Sequence, residues 1–317
     1  NLIKFNLIKF NLIKFNAKFK MYIFEFGFDV AEKLKKLEEK NGNFGVKKGE
    51  ILLKKFPDGE FYARVIGNIE NENCVVVKSI YNSDELVKTI LILDAVKRSK
   101  AKSIMLVAPY LTYMRQDKIF LDGEALSAEV VLKNLKNYVD KIFLINSHIF
   151  RESGEKTCYG IKIYNVDAFS EIAKYFKNLK NPKIISPDEG ASDMAKKCAK
   201  ILKCESDYLI KKRDMVTGKI VTADKNLYVE GKDVLISDDI ISSGGTMIEA
   251  LKVIKKQNPA SINLACVHGV FCDAENFLML RILADEGVAT NSIPNKVGNI
   301  DLSNLIAEEL VKNLIKK

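Results

Sequence analysis

Short, nearly continuous apolar runs, each followed by a stretch of helical periodicity, set the limits on how this chain can fold. The runs are "CVVVKSI" (74–80), "SIMLVAPY" (103–110), "KIFLINSH" (141–148), "KIISPD" (183–188), "DVLISDD" (233–239) and "INLACVHGVF" (262–271). Helical patterns lie at 83–98, 124–137, 167–180, 190–203 and 246–257. A strand that is apolar at nearly every position, rather than every second one, is covered on both faces. The alternation therefore predicts an α/β chain with mainly parallel sheets flanked by helices. The series is too long for one compact sheet, and 317 residues suffice for about two domains. Residues 21–160 and 161–317 are the expected domains, joined near 151–166.

The first twenty residues read differently. "NLIKFNLIKFNLIKFNAKFK" repeats Asn-Leu-Ile-Lys-Phe three times in tandem. A five-residue period matches neither the helical nor the strand period, so it builds no clean amphipathic face. Residues 1–20 are expected to lie outside the fold. The same segment holds five lysines (Lys4, Lys9, Lys14, Lys18 and Lys20) and no acid, which leaves only +4 of the net +9 charge to the remainder. A modest excess suits anionic small molecules and does not demand nucleic acid.

Other functional classes are excluded on similar grounds. The chain is 47% hydrophobic and 29% charged, which supports a sizeable core. No apolar run approaches the ~18–20 residues of a spanning helix, and no secretory signal is visible, so no membrane association is expected. Six cysteines, at 74, 158, 198, 204, 266 and 272, form no Cys-x-x-Cys pair, and two histidines offer little for zinc. Buried free thiols in a reducing cytoplasm are the expectation.

The stretch with most chemistry is "VLISDDIISSGGTM" (234–247). Asp238 and Asp239 stand at the end of an apolar strand, where ligands bind in open α/β sheets. Ser242, Ser243, Gly244, Gly245 and Thr246 then open a helix. Small residues let the backbone approach an anion, and a helix N-terminus offers free N–H groups and a favourable dipole. No Gly-Lys-Ser/Thr follows, so the cradle suits a monophosphate rather than a polyphosphate chain. Two carboxylates can accept hydrogen bonds from vicinal hydroxyls. Together they point to ribose 5-phosphate or a derivative. An ordinary strand-to-helix turn capped by serines would use the same residue types.

This stretch resembles the 5-phosphoribosyl 1-pyrophosphate (PRPP) loop of type I phosphoribosyltransferases and of ribose-phosphate pyrophosphokinases. "FPDGEFYARV" (56–65), "APYLTYMRQDKIF" (108–120), "SPDEG" (186–190) and "NSIPNKVGNIDLSNLIAEEL" (291–310) resemble the pyrophosphokinases, particularly archaeal-type members, over residues 51–310. The resemblance implies two phosphoribosyltransferase type I-like domains. It also implies pyrophosphoryl transfer from ATP to the anomeric hydroxyl of ribose 5-phosphate, giving PRPP and AMP, with Mg2+. Phe56, Asp58 and Glu60 resemble residues lent by a neighbouring subunit to the adenine pocket. Arg115 and Gln116 resemble an ATP-binding pair.

His148 matches a histidine near the metal-nucleotide in a motif that runs Asp-Leu-His, although Asn146 and Ser147 stand in its first two positions here. Asp188 resembles a carboxylate on the metal or ribose side. "YLIKKRDMVTGKI" (208–220) resembles a mobile catalytic loop with Lys-x-Arg spacing, met by Lys211 and Arg213, with Lys212 as the alternative lysine. Taken alone, His148 could be structural, Asp188 a helix cap and the basic run a solvated face. The resemblance further implies a homo-oligomer with a dimer as minimal unit and a tetramer or hexamer as larger forms. Two rivals remain at this point: a phosphoribosyltransferase that consumes PRPP, and a non-catalytic regulatory homologue.

Overall fold

The computed structural model describes residues 19–41, 44–150, 152–213, 220–222 and 225–315. The first eighteen residues, and Thr217 and Gly218 of the basic loop, lie outside the described residues.

In chain order the first part comprises β1 (Phe19–Phe26), α1 (Val30–Asn41), β2 (Phe44–Lys48), β3 (Glu50–Lys55), β4 (Phe61–Ile66), β5 (Asn73–Lys78), α2 (Ser83–Arg98), β6 (Ser103–Ala108), α3 (Ser127–Leu135), β7 (Lys141–Ile145), β8 (Gly154–Cys158) and β9 (Ile161–Val166). Then come α4 (Phe169–Tyr175), β10 (Pro182–Ser186), α5 (Ser192–Leu202), β11 (Glu205–Tyr208), β12 (Lys211–Arg213), β13 (Ile220–Thr222), β14 (Asp233–Ile241), α6 (Gly245–Lys255), β15 (Ser261–Gly269), α7 (Ala274–Leu283), β16 (Glu286–Ala289) and α8 (Ser303–Ile315).

Among the described residues, β2-β1-β5-β6-β7-β9-β8 form one sheet, parallel except where β8 runs against β9. A second, all-parallel sheet has the order β11-β10-β14-β15-β16. Two antiparallel hairpins, β3-β4 and β12-β13, stand outside both sheets. Central strands are buried along their whole length because helices cover both faces: Cys74–Lys78 of β5 and Ile262–Gly269 of β15 are examples.

Three features depart from expectation. Phe19 and Lys20 belong to β1, paired with Phe44 and Gly45 of β2, so the fold begins inside the stretch assigned to residues 1–20. The junction expected near 151–166 carries β8 and β9, and β9 pairs with β7, so the first sheet runs past residue 160 to Val166. The last helix also returns to the first sheet: α8 packs on α1, Asp29 N donates to Ser303 Oγ at 3.1 Å, and Tyr164 OH lies 3.3 Å from Glu309 Oε2. One apolar cluster therefore spans both sheets, from Val75 and Phe143 to Leu235 and Leu310.

All six cysteines are free. Cys74, Cys198 and Cys266 are buried as expected, and burial pushes the first two thiols up to about 12. Cys272 differs in being exposed.

Candidate active site

Strand order locates the crevice. In the second sheet the chain passes from β10 outward to β11, then returns to β14 on the other side of β10. That reversal opens a crevice beyond the carboxyl ends of β10 and β14, where open α/β sheets bind ligands. Asp188 follows β10, and Asp238 and Asp239 lie in the last turns of β14. The first sheet reverses in the same way between β1 and β5. There the ends carry ion pairs: Lys48 with Glu25 at 2.9 Å, and buried Lys78 with Glu85.

The stretch expected to form the cradle is the turn from β14 into α6. Gly244 caps α6 with φ of 89°, a left-handed conformation that favours glycine, and Gly245 opens the helix. Ser243 and Thr246 are exposed, and Ser242 and Gly245 are half-buried. Cys272 N donates to Ser242 O at 3.1 Å, which ties the loop to the segment after β15.

The two aspartates are not equivalent. Burial, reinforced by the Asp239 charge, pushes the Asp238 carboxyl well above its ordinary range. Burial acts upward on Asp239 too, but His148 and hydrogen bonding with Asp238 outweigh it, so Asp239 is lowered. The backbone helps to fix both: Asp238 Oδ1 accepts from Asp239 N, and Asp239 Oδ1 accepts from Ile240 N, each at 2.8 Å.

His148, which follows β7 of the first sheet, meets this pair. Its Nδ1 is 3.6 Å from Asp239 Oδ2. Asp239 raises the His148 pKa, against burial and the nearby Arg115, which lower it. Arg115 and His148 line one pocket with Tyr110, Met114, Ser147, Ile240 and His268. The turn that carries His148 is held by its two unexpected neighbours. Asn146, at φ of 40°, accepts from Ala168 N through Oδ1 at 2.7 Å, and Ser147 N donates to Asn165 Oδ1 at 2.9 Å.

The other expected residues are placed as follows. Asp188 caps a short 3-10 turn, accepting from Ala191 N at 3.2 Å, and its charge also raises Asp238. Gln116 is drawn into the start of α3: its Oε1 accepts from Ser127 Oγ at 3.0 Å. Phe56, Asp58 and Glu60 sit together at the exposed tip of the β3-β4 hairpin, which packs on α2. Phe56 N donates to Glu60 O, Glu60 N donates to Asp58 Oδ1, and the Phe56 ring meets Tyr62 edge-on at 6.4 Å. These contacts hold the tip as a unit; none of them reaches the His148–Asp239 cluster. Lys211 and Arg213 begin and end β12, which pairs with β13. Among the described residues, no group of three or more His, Cys, Asp or Glu side chains is placed to hold a metal by itself.

Residues 25–138 match the N-terminal domain of ribose phosphate pyrophosphokinase, and residues 163–283 match the phosphoribosyl transferase domain. The chain is 36% identical over 266 residues to ribose-phosphate pyrophosphokinase 2 of Archaeoglobus fulgidus, covering 84% of this chain and 93% of that one. The chain belongs to the ribose-phosphate pyrophosphokinase family. The Thermococcus kodakarensis ribose-phosphate pyrophosphokinase is 34% identical over 280 residues, covering 88% of this chain and 96% of that one. The fold of phosphoribosylpyrophosphate synthetase from Mycobacterium smegmatis superposes with a TM-score of 0.73 at 21% identity, covering 94% of this chain and all of that one. Family membership makes the chain an enzyme of this type, with two phosphoribosyltransferase-type domains.

Sequence reasoning missed Tyr110, Asn146, Ser147 and His268 at this site. Tyr110 and His268 lie within apolar strand runs, Tyr110 also within the motif 108–120, and sequence reasoning assigns neither a role of its own. Asn146 and Ser147 read only as departures from a motif.

Proposed function

We propose that this chain transfers the β,γ-pyrophosphoryl group of ATP to the anomeric hydroxyl of ribose 5-phosphate. The anomeric oxygen forms a bond to the β-phosphorus, the bond between that phosphorus and the α,β-bridging oxygen breaks, and AMP leaves. The hydroxyl proton passes to a base or to water. The observation that carries the reading is the meeting of His148 with Asp239, 3.6 Å apart across the two sheets. A phosphate cradle alone would serve any phosphoribosyltransferase. Here Asp239 faces His148 of the first sheet, and His148 shares a pocket with Arg115, which lies in the stretch that matches the pyrophosphokinase N-terminal domain.

In this reading Ser242, Ser243, Gly244, Gly245 and Thr246 hold the 5-phosphate, and Asp238 and Asp239 accept hydrogen bonds from the ribose hydroxyls. Arg115 and Gln116 bind ATP from the first domain. Phe56, Asp58 and Glu60 stand at an exposed hairpin tip, suited to completing the adenine pocket of a second copy. Lys211 and Arg213 stabilise the negative charge spread over the migrating group.

Mg2+ takes oxygen donors, commonly one or two carboxylates together with substrate phosphates. Asp188, beside Asp238, fits that pattern; the imidazole of His148 fits it less well. Bound there, the ion would neutralise charge on the transferred phosphates. The free cysteines suit a reducing cytoplasm, and no helix among the described residues is long and apolar enough to cross a membrane.

The test is AMP release by the purified chain. The expected result is release that requires both ATP and ribose 5-phosphate. Release without the sugar phosphate, or pyrophosphate release from PRPP that requires a nucleobase, would overturn the reading.

A further inference from the structure

The chain has two histidines, and His268 is the one buried at the seam between the sheets. It belongs to β15, where it lies in register with Ile240 of β14, the residue after Asp239. Its Nε2 is 2.9 Å from the carbonyl oxygen of Ile145, the last residue of β7. Its Nδ1 is 2.8 Å from Ser292 Oγ. The Tyr110 ring, which follows β6, meets its edge at 4.9 Å. Ser79, which follows β5, donates to Ser292 O. The ends of β6 and β7 thus meet the imidazole directly, and the end of β5 reaches it through Ser292.

Its tautomer follows from its partners. A carbonyl oxygen can only accept, so Nε2 carries the proton. Nδ1 must then accept, and the available donor is the Ser292 hydroxyl. That hydroxyl has one proton and two acceptors in reach, Nδ1 and Val267 O at 2.9 Å; only Val267 O has another donor, the Thr290 hydroxyl at 2.7 Å, so the proton on Nδ1 leaves neither acceptor bare. Ser292 can therefore give its single proton to Nδ1. Both ring nitrogens are satisfied with the ring neutral, and burial holds it so by pushing its pKa down to about 4.

We propose that His268 is a positioning residue for the transfer: its Nε2–H bond to Ile145 fixes the end of β7, and so sets His148 against Asp239. This deepens the reading above and rests on it. Ile145 lies three residues before His148, and Ile240 lies one residue after Asp239. A rigid ring spanning these two points sets the separation of the pair. Misplacement by about an ångström can cost on the order of a hundredfold in rate.

Two near-isosteres separate this role from simple core packing. A Gln side chain can place its amide nitrogen near the Nε2 position and still donate to Ile145 O. An Asn side chain reaches only the Nδ1 position. His268→Gln should keep kcat within about threefold of wild type, and His268→Asn should lower it roughly tenfold or more. Ribose 5-phosphate affinity, measured by calorimetry, should be unchanged in both, because that site lies within the second sheet. Equal kcat in both variants would overturn the proposal, as would sugar-phosphate binding lost in parallel with kcat.

If the Asn variant does not fold, Ser292→Ala serves instead. It keeps the carbonyl that Ser79 uses but frees Nδ1, and should lower kcat about threefold or more; no change would count against the role. The wild-type assay separates this from the functional reading itself. Independently of activity, 15N spectra should show His268 protonated at Nε2 and bare at Nδ1, and the opposite tautomer would overturn the proposal.

Discussion

His148 Nδ1 stands 3.6 Å from Asp239 Oδ2, so the end of a strand in the first sheet faces the end of a strand in the second. Neither group gains this neighbour from its own sheet. If the pair acts as a unit, the effects of losing each member should not add. His148→Ala and Asp239→Ala should each lower kcat by at least about tenfold, and the double variant should cost clearly less than the product. Steady-state kinetics of the three variants checks this. Multiplicative losses would mean that the two side chains act independently.

Gly244 should be intolerant of a side chain for two reasons. At φ of 89° an L-residue is strained by roughly 1–2 kcal/mol. A Cβ there would also stand 3.0 Å from Leu280 Cδ1 and 3.6 Å from Asn276 Cβ of α7. Gly244→Val should therefore push the cradle away from α7 and weaken ribose 5-phosphate binding at least about tenfold, while ATP affinity changes little. Calorimetry with each ligand separately reads this. Equal weakening of both would point to a general loss of structure.

What could be read from the sequence follows strand burial. β5, β6, β7, β10, β14 and β15 are apolar at nearly every position, and all six appear where their runs lie. The edge strands were hidden because they are half polar: "GEKTC" of β8 and "ESDY" of β11 carry no such run. The hairpin β3-β4 read as a motif, although its alternation of half-buried Phe61, Ala63 and Val65 with exposed Tyr62, Arg64 and Ile66 is a strand signal. At the site, Asp238, Asp239 and the small residues after them were legible because like charges and glycines at a strand end are unusual. His268 was not, since "ACVHGVF" looks like core and its role depends on a carbonyl 123 residues away.

The repeat at the start of the chain should be dispensable only up to a point. Phe19 and Lys20 hold register with Phe44 and Gly45, and Asn73 Nδ2 donates to Lys20 O at 3.0 Å. A chain beginning at Phe19 should keep full activity and assembly. One beginning at Met21 loses these pairings and should melt a few degrees lower. Thermal unfolding and activity of the two truncated chains decide the matter. A loss of assembly in the longer one would give the repeat a role in the oligomer.

Lys211 and Arg213 should act mainly on the transition state, where the charge on the migrating group is most dispersed. Replacing either by alanine should lower kcat by roughly a hundredfold or more, about 2.7 kcal/mol, with a much smaller change in KM. Surface charges that only meet water would leave kcat within a few-fold. That outcome in both variants would remove them from the mechanism and turn attention to Lys212.

The same buried imidazole that joins the sheets should make stability depend on pH. His268 has its folded pKa pushed down to about 4, first by burial, against the upward pull of Asp239 and of the Ile145 carbonyl. An unfolded histidine titrates near 6.5. Between those values the unfolded chain binds a proton that the folded chain refuses. Stability from this group is therefore complete above about pH 6.5, falls as pH drops, and is lost near pH 4. The full loss is about 3 kcal/mol. Asp238 contributes with the opposite sign: its raised pKa favours the folded state at low pH and is lost as pH rises through the folded value. The two are separated by comparing wild type with His268→Gln in urea unfolding at pH 7, 5.5 and 4. Asp238 is common to both chains, so the difference isolates the imidazole. Wild type should lose about 3 kcal/mol more than the variant across this range. A constant difference would mean that His268 takes up its proton in the folded state as easily as in the unfolded one.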